Sequence, residues 1–215
     1  MIIRPALVAA LLAATVTAPA IAQGHFSVGV TGGTLGIGPE IGYRASTKIG
    51  VRANATFLNF SHGFDSDDLN YDGKLKLNSF GGMIDFYPFD GGFRVSGGAR
   101  YNQNKARAVA TPTGNASVGG QVFTPAQIGT LTGRATVKDF APALTLGYGS
   151  SFGSGFTVGF EAGALFQGKV RLRNFTSSTG LIPQARLEAE RLDLQDDVDD
   201  YKVYPIVQLT LGYRF

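Results

Sequence analysis

Residues 156–167 read FTVGFEAGALFQ. In an extended chain successive side chains point to opposite faces, so Phe156, Val158, Phe160, Ala162, Ala164 and Phe166 share one face. Thr157, Gly159, Glu161, Gly163 and Gln167 share the other. The bulky apolar groups are on one side and the small or charged groups on the other. A small soluble barrel has the reverse arrangement, with bulky apolar side chains filling its interior. Lipid outside and a cramped polar lumen inside account for the pattern directly. The alternation recurs at Ile49–Phe57, Phe93–Asn102, Phe140–Tyr148 and Val203–Phe215. Aromatic residues stand at the strand ends (Tyr43, Phe57, Phe86, Phe93, Tyr148, Phe156, Tyr213), where interfacial girdles form. The expected fold is all-β: a closed antiparallel up-and-down transmembrane β-barrel. A soluble β-sandwich is the competing reading.

Composition agrees. The chain has 215 residues, 44% hydrophobic, only 16% charged, with 30 glycines, no cysteine and two histidines. Soluble domains carry about 25% charged residues. Absence of cysteine excludes a disulfide scaffold, a cysteine-zinc site and thiol catalysis. A net charge of +3, scattered along the sequence, gives no case for a nucleic-acid partner. No cofactor is expected.

Met1–Arg4 carries one positive charge, and an apolar run follows to Thr17. Ala18-Pro19-Ala20-Ile21-Ala22 then fits the small-residue cleavage rule. Residues 1–22 are therefore expected to be a cleaved secretory signal peptide and 23–215 the outer-membrane barrel. A membrane-anchor helix is the alternative, but the run falls short of the roughly 20 apolar residues a span needs.

Long strands are expected at 35–45, 48–60, 74–88, 93–109, 131–150, 156–173 and 201–215. Tight turns at 45–47, 90–92 and 153–155 belong on the periplasmic side. Long polar segments at 61–72, 111–130 and 176–200 belong outside. Parity supplies an eighth strand. Phe26, Val28 and Val30 alternate in even register, Leu35, Ile37, Ile41 and Tyr43 in odd, and the phase flips at Thr31-Gly32-Gly33-Thr34. Either a hairpin turns there, giving eight strands, or residues 25–45 form one strand with a glycine bulge.

The C-terminal stretch Tyr204-Pro205-Ile206-Val207-Gln208-Leu209-Thr210-Leu211-Gly212-Tyr213-Arg214-Phe215 resembles the terminal strand of bacterial outer-membrane proteins. That resemblance implies recognition by the barrel-assembly machinery through Leu209, Leu211, Tyr213 and Phe215. The mature chain as a whole resembles the small eight-stranded barrels of the OmpA-transmembrane and OmpW type. Gly33–Gly38 and Phe86–Phe89, with the aspartate-rich run before the last strand, are similar to a proteobacterial group of unassigned function. The resemblance implies an outer-membrane location. It also implies either a structural or surface-interaction role through long loops, or a narrow channel for small or apolar solutes.

Inward parity assigns Glu40, Arg44, Arg52, Asp85, Arg94, Arg100, Lys138, Glu161 and Arg214 to the lumen. Such charges must be paired or hydrated. They form either a plug or a narrow polar pore with a basic excess. His62, next to Ser61, is a superficial match to the His–Ser pair of lipid A deacylases and to the His of outer-membrane proteases. Adjacent strand residues face opposite ways, and the flanking residues match neither enzyme family. No catalytic role is expected. Asp65, Asp67, Asp68 and Asp72 form an oxygen-rich candidate for Ca²⁺ or Mg²⁺, but Lys76 stands where an EF-hand loop needs Glu. A solvated acidic loop is the alternative. Pro183 can open a helix over 183–198 with Ala185, Ala189 and Leu192 on one face and Arg186–Glu190 and Glu188–Arg191 paired. This short extracellular helix would cap the mouth, lie on the outer leaflet or bind a partner. The expected partners are outer-membrane lipid, lipopolysaccharide and an extracellular ligand of unspecified chemistry.

Overall fold

The alternating segments form strands, and short turns return them against their neighbours. The computed structural model describes residues 25–66, 69–152 and 155–215, so the expected signal segment 1–22 lies outside the described residues. In chain order the elements are β1 (Phe26–Gly33), β2 (Gly36–Arg44), β3 (Ile49–Ser66), β4 (Leu69–Phe86), β5 (Phe93–Asn102), β6 (Lys105–Pro112), β7 (Ala116–Val118) and β8 (Gln121–Phe123). They continue as α1 (Pro125–Ile128), β9 (Leu131–Thr136), β10 (Phe140–Phe152), β11 (Phe156–Leu165), β12 (Arg171–Ser177), α2 (Gln184–Val198) and β13 (Tyr204–Arg214). Eight strands pair antiparallel in a ring, β1-β2-β3-β4-β5-β10-β11-β13 and back to β1.

Residues 25–45 form a hairpin, with Gly33 opposite Gly36. The turn is Thr34-Leu35, later than the phase flip suggested. Gly36 allows this because its φ of +103° is open to glycine and strained for other residues. A Cβ there would also stand 2.8 Å from the Phe57 backbone.

The two faces of the ring follow parity. Outward residues such as Ile84, Phe156 and Leu211 are more than 60% exposed despite being large and apolar. Inward residues such as Thr56, Asp85, Ser96 and Arg100 are buried. Patches of this size on a ring's outer face require an apolar surrounding or a partner.

One end of the ring carries short turns. From the other the same sheet continues as a projection. Strand β4 changes partner along its length: Ser79–Phe86 pair with β5, and Leu69–Lys76 pair with β6. Strand β6 pairs with β9, and β9 with β12. The result is a sheet in the order β3-β4-β6-β9-β12. The expected strands 93–109, 131–150 and 156–173 are therefore each broken, between ring strand and sheet strand. At the first break Asn104 takes over a ladder bond, its side-chain oxygen accepting from the Asn78 backbone N–H at 2.9 Å.

The expected long loops change accordingly. Of the expected loop 61–72, residues 61–66 and 69–72 continue β3 and β4 as paired strands, with His62 opposite Gly73 and Ser66 opposite Leu69. Segments 111–130 and 176–200 fold over one another. They bury a second core of Val118, Phe123, Ile128, Ile182 and Leu187. Helix α2 begins after Pro183 as expected, but the face expected to be apolar is not the one that packs; Leu187 enters the second core instead. Leu192 is half exposed and Ala185 is exposed, while Leu187 alone is fully buried. The helix holds to its neighbours through polar groups. Arg186 donates to the Gly119 carbonyl (2.8 Å), and Glu190 accepts from the Gly119 N–H (2.8 Å). Gln195 both accepts from Leu172 N–H (2.8 Å) and donates to Val170 carbonyl (2.7 Å). Gln195 thereby caps the start of β12 at its free edge. Of the two expected helix pairs, Glu188–Arg191 forms; Arg186 and Glu190 instead clamp Gly119 between them.

Candidate functional site

The lumen is filled in two layers. In the lower one Arg52, on β3, grips Asp85 of β4 with two parallel bonds of 2.7 and 3.0 Å. The same guanidinium reaches Glu40 of β2 at 3.3 Å and Glu161 of β11. Arg94 of β5 donates to Glu161 at 3.1 Å, and Ser96 donates to Asp85 at 2.6 Å. Asn54 donates to Glu40 at 3.1 Å. Arg100 sits beside this cluster and is held by neutral groups: Asn54, Thr56 and Ser79. Three arginines and three carboxylates thus share the buried lumen. Planar guanidinium forks suit this, because each can join carboxylates from opposite walls.

The remaining inward candidates stand elsewhere. Arg44 is at the turn end, donating to the carbonyls of Ser46, Thr47 and Asp90 with its guanidinium 3.9 Å from the centre of the Tyr87 ring. Arg214 lies near the same end, its backbone N–H bonded to Gly155 at 2.8 Å. Lys138 is exposed in the link between β9 and β10, packed beside Gly168. Parity gave these residues a direction but not a height along the ring.

Above the ions lies an apolar layer that charge-seeking passed over: Leu35, Met83, Ala141, Ala143, Leu165 and Ile206, with Tyr204 packed against it. Its signal was present. Met83, Leu165 and Ile206 are large apolar residues at inward parity. About 10 Å³ of free space separates this layer from the ion cluster, enough for one water at most. On the turn side the free space is about 80 Å³.

Beyond the apolar layer the inner side of the projecting sheet is a trough of about 390 Å³. Phe60, Leu75, Ala106, Ala135 and Leu172 form one cross-strand row in it, and Leu194 of α2 contributes to its wall. His62 lies here, its ring stacked on Phe60 at 5.9 Å between centres. Ser61 is on the opposite face, as is Asp72, so the pieces of a His–Ser or His–Asp site are not brought together. Asp67 and Asp68 lie outside the described residues. Among the described residues no group of three histidines, aspartates or glutamates could hold a metal ion. Leu209, Leu211 and Phe215 are exposed on the outer face, and Tyr213 stacks edge-on with both Phe156 and Phe215.

The chain matches no protein-family model and no curated protein sequence. Among solved structures it is similar to Acinetobacter baumannii CarO2, with a TM-score of 0.65 at 19% identity over 89% of this chain and 98% of that one. Acinetobacter baumannii CarO gives a TM-score of 0.62 at 19% identity, over 88% and 97% respectively. At this identity the likeness speaks for the fold alone, and it extends over nearly the whole length of both CarO chains.

Proposed function

We propose that the chain is an integral barrel of the bacterial outer membrane with a structural or surface-interaction role. Its lumen is plugged, and it works through the sheet and helix on its loop end. The observation that carries this is the pairing of an outer face of large exposed apolar residues with an inner face of ion-paired arginines and carboxylates. Lipid on one side and self-satisfied polarity on the other is how a strand crosses a bilayer. In this reading residues 1–22 are removed on export and the short turns face the periplasm. Leu209, Leu211, Tyr213 and Phe215 serve the barrel-assembly machinery, and the projecting sheet faces outward among lipopolysaccharide and external ligands. The protein has no catalytic activity of its own.

A narrow channel of the OmpW kind is a poorer fit to the filled lumen. The reading is tested on protein purified from outer membranes. Unheated samples should migrate apart from boiled ones on a denaturing gel, and planar bilayers should show no discrete openings over several salts and potentials. Recovery as a soluble periplasmic protein would refute the barrel. Steady unitary conductance would restore the channel.

A further inference from the structure

The outer face of the projecting sheet carries two cross-strand rows of basic residues. Lys74 of β4 stands opposite Arg107 of β6, Arg107 opposite Arg134 of β9, and Arg134 opposite Arg173 of β12. In the adjoining row Lys76 stands opposite Lys105, Lys105 opposite Thr136, and Thr136 opposite Arg171. All seven cations are exposed. Among the described residues none of them is in an ion pair, although surface lysines elsewhere in the chain are. Asp72 stands at the far rim of this face, opposite Val109. Like charges directly opposite one another repel and weaken a sheet, so this arrangement is satisfied by an external anion.

Register fixes where that anion lies. Strand β4 runs without interruption from the ring into the sheet, paired throughout with β3. Its outward residues pass from Ile84 and Phe80, both about 60% exposed, to Asn78 and then to Lys76 and Lys74. At about 3.4 Å per residue the two lysines stand roughly 14 and 20 Å beyond Phe80 along the strand. The same change from apolar to basic occurs between Tyr101 and Lys105, between Phe140 and Arg134, and between Phe166 and Arg171. The basic band therefore borders the apolar band on the same side of the molecule. It stands where headgroups begin if the apolar band lies in lipid.

We infer that this face binds the phosphate groups of a phosphorylated glycolipid in the outer leaflet, fixing the height and tilt of the projecting sheet on the membrane. The inference rests on the barrel reading above and names its lipid partner and the surface that meets it. Charge complementarity and continuity with the apolar band favour a lipid over a free anion or a soluble polyanion. Guanidinium groups would clamp phosphate oxygens in pairs, and lysines would add unspecific attraction.

The test uses the folded full-length protein in mixed micelles, titrated with bis-phosphorylated lipid A and, separately, with the same lipid after phosphate removal. The phosphorylated form should bind at least about tenfold more tightly, with the advantage shrinking as salt rises. The variant carrying Lys74→Gln, Lys105→Gln, Arg107→Gln and Arg134→Gln should lose that preference. A second variant with Arg107→Lys and Arg134→Lys should keep most of it. Heat-modifiable migration is recorded on every sample. Samples that lack it count against the barrel reading. Samples that have it but show no preference for phosphate, or the same preference in the glutamine variant, overturn this inference alone. Tighter capture of inorganic phosphate or of a DNA oligonucleotide than of the lipid would also overturn it, in favour of a soluble anion.

Discussion

Arg52 holds the lumen together because it alone touches all three buried carboxylates, Glu40, Asp85 and Glu161. Removing one member of a buried ionic cluster leaves its partners charged and unpaired, at a cost of about 3–5 kcal/mol. Arg52→Ala should therefore lower the urea midpoint of unfolding from lipid vesicles. Neutralising the partners as well, through Glu40→Gln, Asp85→Asn and Glu161→Gln, should recover much of the loss. An unchanged midpoint for Arg52→Ala would show that the cluster contributes little. Parity was enough to find the members of this cluster, since each charged residue falls at an inward position on a recognisable strand. It failed for Arg44 and Arg214, which face inward at the turn end, because alternation carries no information about height. It failed again for the basic face. Lys74, Lys105, Arg107, Arg134 and Arg173 are scattered in sequence, although the register with β4 runs unchanged across the break at 103–104. Only the cross-strand register brings them into line.

At the scale of elements, α2 is the part whose position the sequence described least well. Its boundaries were legible from Pro183 and the charge spacing. Its contact face was not, because it is held by Arg186, Glu190 and Gln195 and not by an apolar stripe. Gly119 is the clamp's other jaw, with φ of +57° and no room for a Cβ, which would stand 2.3 Å from the Arg186 carbonyl. Gly119→Ala should loosen α2, and protease should then cut intact cells' surface protein within 176–200 while the ring stays heat-modifiable. Cleavage equal to wild type would contradict the clamp. The far end of α2 is tied by Lys169 to Asp199. The hydrogen bond from Lys169 holds the Asp199 carboxyl below the usual aspartate range, and Gln195 assists. The same bond holds Lys169 above the usual lysine range. A lowered acid contributes above its unfolded value and is lost as pH falls through its folded one; a raised base contributes below its unfolded value and is lost as pH rises through its folded one. Protection of α2 in hydrogen exchange should thus be flat across neutral pH and fall at both acid and strongly alkaline extremes. Lys169→Met should remove the dependence; a profile identical to wild type would assign it to other groups.

For the molecule as a whole, the fold class and the count of ring strands could be read from period-two alternation and a single phase flip. What could not be read was that part of the ring's sheet continues beyond the ring, through β6, β9 and β12. Continuous alternation from 93 to 109 and from 131 to 150 looks like one strand each, because a sheet strand and a ring strand have the same period. The breaks at 103–104 and 137–139 leave the register with the neighbouring strands unchanged, so they leave no periodic mark. Closure of the ring has a further consequence. Strand β13 bonds to β11 on one side and to β1 on the other, and the Phe215 N–H reaches the Phe26 carbonyl at 2.9 Å. Until those eleven residues arrive, both β1 and β11 present open edges, the kind of template on which other chains aggregate. Assembly is therefore all-or-none with respect to one short segment. Every copy under synthesis must be kept from its neighbours until that segment is in place, and a truncation before Tyr204 should yield insoluble chain rather than a slightly weaker barrel.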